Sequence, residues 1–142
     1  MLAALDEAMR AKAEGDLPFG AVVVCDGTIV GRGHALDNTT GDVTDHAELR
    51  AIKEACKTLK TNRLSHCSIY CTNEPCLMCA ATIFQAKIPT IFIGASRDDL
   101  PFLRKRKLRI EDVAHDSSFE IHIQRGILKD QVLALFMDST KE

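Results

Sequence analysis

The feature that most constrains this chain is a pair of short motifs, His46-Ala47-Glu48 and, further on, Pro75-Cys76-Leu77-Met78-Cys79. Imidazole and thiolate are donors that suit Zn²⁺, and a Cys-x-x-Cys at a helix start lets both sulfurs meet one ion. The partial positive charge of a helix N-terminus also favours thiolates. Any fold must therefore bring residue 46 against residues 76 and 79. The surrounding patterns say how. From Asp45 onward, Leu49, Ile52, Cys56 and Leu59 recur at helical spacing, with Arg50, Lys53, Glu54 and Lys57 predicted to face out. Thr44 or Asp45 is suited to cap that helix. Pro75 fits the first turn of a second helix reaching about Ala86. Two helix N-termini then converge at a sheet edge.

The remaining elements supply the sheet. Leu2, Leu5 and Met9, with alanines between them, predict an opening amphipathic helix ended by Gly15 and Pro18. Phe19 to Cys25 and Thr28 to Gly33 are β-rich and flank Asp26-Gly27, a strong hairpin signal because both turn positions favour positive φ. His34 to Thr44 is polar and loop-like. Cys67 to Thr72, Thr90 to Ala95 and Phe119 to Gln124 predict further strands, and Gly126 to Met137 a closing helix with Ile127, Val132, Leu135 and Phe136 apolar. The order α-β-β-α-β-α-β-loop-β-α predicts an α/β domain, a mixed sheet covered by helices. With no repeat or long linker, residues 1–142 are expected to form one domain.

Bulk properties narrow the function. The chain has 46% hydrophobic residues, enough for a core, yet no continuous apolar run approaching the ~18 residues of a membrane span. The first fifteen residues mix charges into apolar positions and do not read as a signal peptide, so a cytoplasmic location is expected. Net charge is −2, which gives no bulk attraction to nucleic acid. Of the six cysteines, Cys25, Cys56, Cys67 and Cys71 lie in apolar runs where a thiol acts as a small hydrophobe, so disulfides are not expected.

One histidine and two cysteines give three ligands. A structural zinc site is closed by four protein donors, whereas a catalytic one keeps a place for water. Glu48, in the first turn of its helix, is placed to move protons beside the metal. This constellation resembles the cytidine-deaminase-like zinc deaminases, the general pattern of enzymes that deaminate nucleobases. The similarity extends through Pro18-Phe19-Gly20-Ala21-Val22, Asn73-Glu74-Pro75-Cys76 and Gly126-Ile127-Leu128 with Asp130, which look like the branch containing bacterial tRNA adenosine deaminases and guanine deaminases. The resemblance implies a three-layer α/β/α fold with a five-stranded mixed sheet, a homodimer, and a base contact from the backbone amide of Ala47.

The chain also departs from that branch. Many members carry an asparagine eleven residues before the zinc histidine, where this chain has Ala35, preceded by His34. Asp45 stands where tRNA adenosine deaminases often have alanine. Their glycine- and lysine-bearing segment after the fourth strand is replaced by Arg97-Asp98-Asp99-Leu100-Pro101-Phe102. His34 and Asp45 are accordingly candidate substrate contacts. His34 is equally readable as a solvated loop residue, and Asp45 as a cap. Phe102 is a candidate for stacking on a base or for packing under a loop. The run Arg104-Lys105-Arg106-Lys107 with Arg109 is a phosphate-binding candidate or a solvated face. His66, His115 and His122 carry no functional expectation.

Three functions follow. The leading expectation is zinc-dependent hydrolytic deamination of a free nucleobase, nucleoside or related amino heterocycle of guanine or cytosine type, releasing ammonia. The alternative is adenosine-to-inosine editing of tRNA. A non-catalytic zinc module is the third, and it predicts a fourth protein ligand such as Cys71 or His34. A redox Cys-x-x-Cys would leave His46 and Glu48 idle.

Overall fold

The computed structural model describes residues 1–137; the last five residues of the expected domain lie outside the described residues. A five-stranded sheet has the order β2-β1-β3-β4-β5, formed by β1 (Gly20–Cys25), β2 (Thr28–His34), β3 (Cys67–Asn73), β4 (Thr90–Ala95) and β5 (His122–Gln124). β1 runs antiparallel to both β2 and β3, while β3, β4 and β5 are parallel. The end of β2, the start of β1 and the ends of β3 and β4 therefore share one edge of the sheet. The hairpin turn forms at Asp26 and Gly27, both at positive φ, as the dipeptide requires. Helices α1 (Leu2–Ala13) and α6 (Lys129–Met137) pack on one face; α3 (Ala47–Leu59), α4 (Leu77–Gln85) and α5 (Ile110–His115) form the other layer. The expected three-layer α/β/α arrangement is present.

Ile69, Ile83, Ile88, Ile91 and Ile93, none of them exposed, fill the space between β3, β4 and α4. Each contributes about 2 kcal/mol of burial. Helix α3 packs differently from the expectation. Its buried residues are Ala47, Glu48, Ala51, Ile52 and Ala55, whereas Leu59 is 37% exposed and Leu49 and Cys56 are only partly covered. The cause lies across the interface. A methyl group at Gly33 would collide with the Ala47 carbonyl oxygen, and one at Gly31 with that of Ala51. The helix backbone thus rests directly on β2, its alanine stripe inward, and the larger apolar residues are turned aside.

Several boundaries also differ. β2 extends to His34, and the polar segment after it contains a single-turn helix, α2 (Asp37–Thr40). The last strand keeps only its final three residues, since His122 begins pairing at Thr90. The closing helix starts at Lys129 because Gly126 (φ 83°) and Leu128 (φ 55°) adopt left-handed backbone. The helix α5 and the 3₁₀ turn Arg97–Asp99 were not anticipated.

Candidate metal centre

His46 is the N-cap of α3 and Cys76 the N-cap of α4, both with extended backbone, so the two motifs do meet at helix starts on the same sheet edge. This replaces the expected caps. Thr44 instead bonds Asp42 (2.6 Å), and the Asp45 carboxylate accepts from Thr40 Oγ1 (2.6 Å) and Arg50 Nη1 (3.3 Å). His46 Nδ1 lies 3.6 Å from Cys76 Sγ and 3.5 Å from Cys79 Sγ, and the three donor atoms fall within 4.8 Å of one another. Imidazole nitrogen and two thiol sulfurs at that separation fit a tetrahedral zinc ion. The other ring nitrogen, Nε2, faces Asp37 Oδ2 at 4.0 Å. A carboxylate behind a ligating imidazole commonly sets its orientation. No local pattern singles out Asp37, which the turn of α2 carries there.

Electrostatics agree with a metal-binding pair of sulfurs. The Cys76 thiol is drawn down to about 3, first by its hydrogen bond with Cys79 and then by His46. Cys79 is pushed upward by that same interaction, by burial and by Glu48. His46 is raised, chiefly through its bond with Cys76. Glu48 is buried in the first turn of α3, where burial raises its carboxyl despite a hydrogen bond with Cys79. The carboxyl thus lies against Cys79, one of the three donors.

Neither suggested fourth ligand joins the cluster among the described residues. Cys71 is fully buried in the core, its thiol pushed well above the usual range by burial and by Glu48. His34 is not a loop residue. It is buried at the end of β2, with Nδ1 bonded to Glu7 (2.8 Å) and Nε2 to Glu14 (3.0 Å). Both ring nitrogens are thus taken by α1 and the residue that follows it, leaving neither for a metal or a substrate. Ala47 opens α3 beside His46, and Ala35 is buried without a polar group to offer.

A second arrangement at this edge escaped the sequence reading. Glu74, with a side chain 2% exposed, accepts from Arg109 Nε (2.7 Å) and Nη2 (2.6 Å), from Arg125 Nη1 (2.6 Å) and from the Arg97 backbone (3.2 Å). Burial opposes its charge, but Arg109 and Arg125 overcome that and hold the carboxyl at about 2. Arg109 therefore serves inside the protein and not on the solvated face. Its partners are far apart in sequence, so no local pattern announces them.

Among the described residues no helix is long and apolar enough to cross a membrane. Residues 1–95 match the family model for the cytidine and deoxycytidylate deaminase zinc-binding region. The tRNA-specific adenosine deaminase of Aquifex aeolicus is 41% identical over 92 residues, covering 65% of this chain and 61% of that protein. The guanine deaminase of Bacillus subtilis is 43% identical over 82 residues, 58% of this chain and 53% of that one. A structure from work on A-to-I editing by tRNA:A34 deaminases superposes with a TM-score of 0.83 at 31% identity, covering 95% of this chain and 96% of the other. The chain spans about three-fifths of the length of the curated relatives it matches first. The family model's match encloses the cluster, Glu48 and strands β1 to β4: the chain belongs to the cytidine and deoxycytidylate deaminase zinc-binding family.

Proposed function

We propose that this chain is a hydrolytic deaminase that converts an adenosine in a tRNA loop to inosine. The observation that carries the chemistry is a cluster of three protein donors with the buried carboxylate of Glu48 against it. The similarity to tRNA-specific adenosine deaminases supports the substrate and reverses the order of preference set by composition alone.

His46, Cys76 and Cys79 would hold the zinc ion, which when bound would supply the Lewis acidity that lowers the pKa of water to near neutral. Glu48 takes the proton from the attacking water and passes it to the ring nitrogen next to the amino-bearing carbon. It then takes the second proton, from the hydroxyl oxygen now bonded to that carbon, and delivers it to the amino group; the carbon–nitrogen bond breaks, ammonia leaves and the oxygen becomes the carbonyl. A buried carboxyl with a raised pKa is suited to holding that proton between steps. The backbone N–H of Ala47, at the start of α3, donates to the base. His34 and Asp45 act as structural residues, since their polar atoms are engaged by Glu7, Glu14, Thr40 and Arg50.

The chain works as a homodimer in this reading. An open groove of about 1210 Å³ beside α3 and α4 is lined by Leu49 and Cys56, which the close packing on β2 turned aside, by Met78 of α4, and by charged neighbours including Arg50, Lys53 and Lys57. A second copy covers it. Six unbridged thiols fit a reducing, cytoplasmic setting.

A free purine such as guanine is the second reading, favoured by Ala35 in place of the usual asparagine and by the similarity to a guanine deaminase. Zinc-loaded protein incubated with an anticodon stem-loop and, separately, with guanine separates the two. Inosine in the RNA supports the first, ammonia from guanine alone supports the second, and neither product from either substrate overturns both.

A further inference from the structure

The sheet edge that carries the metal cluster also carries a cationic loop, and the two are fastened together. β3 and β4 are parallel neighbours, with Asn73 opposite Ala95, so the chain leaving β4 emerges beside the Cys76 loop. The Glu74 backbone N–H bonds Ala95 O at 2.9 Å. From there the loop is pinned at both ends. At its start, the Arg97 backbone donates to Glu74 Oε1, while Arg97 Nη1 donates to the Arg104 carbonyl at 3.0 Å. At its close, Arg109 grips both oxygens of Glu74 and bonds Asp98 at 3.0 Å.

Between these anchors stand Arg104, Lys105, Arg106 and Lys107, four consecutive cations, all exposed. Among the described residues, none of the four pairs with a carboxylate. Arg109 and Arg125, by contrast, are neutralised by Glu74, Asp98 and Glu111. The protein thus spends carboxylates on the anchoring arginines and leaves the loop between them uncompensated. Phe102 and Leu108 flank the run, 58% and 57% exposed. A charge run on a floppy tail is usually just solvated. This run is bracketed by Arg97 and Arg109, both anchored on Glu74, which lies two residues before the metal-ligating Cys76.

We infer that the Arg104–Lys107 loop is the surface on which the phosphate backbone of an RNA stem-loop lands, so that the target base is delivered to the cluster. The inference rests on the RNA reading above and names the site that reading lacks. Four phosphate contacts give a salt slope of about −3 in log–log terms, or about a 60-fold loss of affinity from 50 to 200 mM salt.

The test is fluorescence anisotropy of a labelled anticodon stem-loop with the zinc-loaded full chain, in parallel with inosine formation. The wild type is expected to show that slope. Combined replacement of Arg104, Lys105, Arg106 and Lys107 by Gln is expected to weaken binding at 50 mM salt at least tenfold and to remove most of the slope. Lys60→Gln with Arg63→Gln, at the opposite edge of the sheet, is expected to change neither. Circular dichroism and zinc content confirm that the fourfold variant is folded. Unchanged RNA affinity and slope in the fourfold variant overturns the inference, as does a wild type with no salt-dependent binding. Inosine formation by a fourfold variant that binds normally sinks the loop and spares the function. Loop-dependent binding without inosine does the reverse.

Discussion

The two-thirds of the molecule up to residue 95 and the third beyond it are held by partly different forces. The first is built by close approach: α3 lies directly on the glycines of β2, isoleucines fill the centre, and the metal donors sit at helix starts that this packing fixes. The second joins the first through β5 pairing with β4 and through Ile110, Val132 and Phe136 in the core, and its segment 96–125 is further fastened by one buried carboxylate, Glu74, which gathers Arg97, Arg109 and Arg125. The family model's match spans the first region and ends at residue 95. The metal donors are therefore positioned by packing, while segment 96–125 is positioned in part by a charge network.

Four changes probe that division, in order of expected size. Cys79→Ala removes a metal donor without touching the network, and turnover is expected to fall below detection with zinc content lost on elemental analysis. Retained zinc at one per chain would break the comparison. Glu74→Ala leaves Arg109 and Arg125 without their shared partner and is expected to cost about 3–5 kcal/mol in urea unfolding. Hydrogen exchange should show the opening concentrated in residues 96–125. A uniform loss across both regions would show that they are not separately held.

Acid sharpens the same point. A carboxyl held at about 2 when folded stabilises fully above its unfolded pKa, and that contribution is lost as pH falls from about 4.5 toward about 2. At a shift of roughly 2.5 units the loss is about 3 kcal/mol. Hydrogen exchange at stepped pH is expected to loosen residues 96–125 before the β1–β4 core. Gly33→Ala pushes α3 off β2 and is expected to cost about 1–3 kcal/mol while also lowering zinc affinity, because His46 and Glu48 ride on that helix. Normal zinc binding in a destabilised Gly33→Ala protein would show that the site tolerates movement of α3.

The metal site was legible because it is local: two ligands lie three residues apart, and Glu48 lies two from His46. The order of most strands and helices followed from periodicity for the same reason. What sequence patterns missed depends on distant partners. The inward face of α3 is decided by Gly31 and Gly33 across the interface, which a helical repeat of leucines does not reveal. His34 looked like a loop residue until β2 was seen to extend to it and α1 to supply Glu7 and Glu14. The roles of Glu74 and Arg109 need a contact 35 residues apart in sequence. A net charge of −2 also averages away four exposed cations that occupy one loop, so composition alone does not reveal that patch.

The claim that a proton-carrying carboxylate works beside the three metal donors is tested most directly with Glu48→Ala at matched zinc content. Inosine formation in the stem-loop, measured per zinc, is expected to fall by about 10² to 10⁴ with the metal retained. Turnover within a few-fold of the wild type, at one zinc per chain in both proteins, would contradict it.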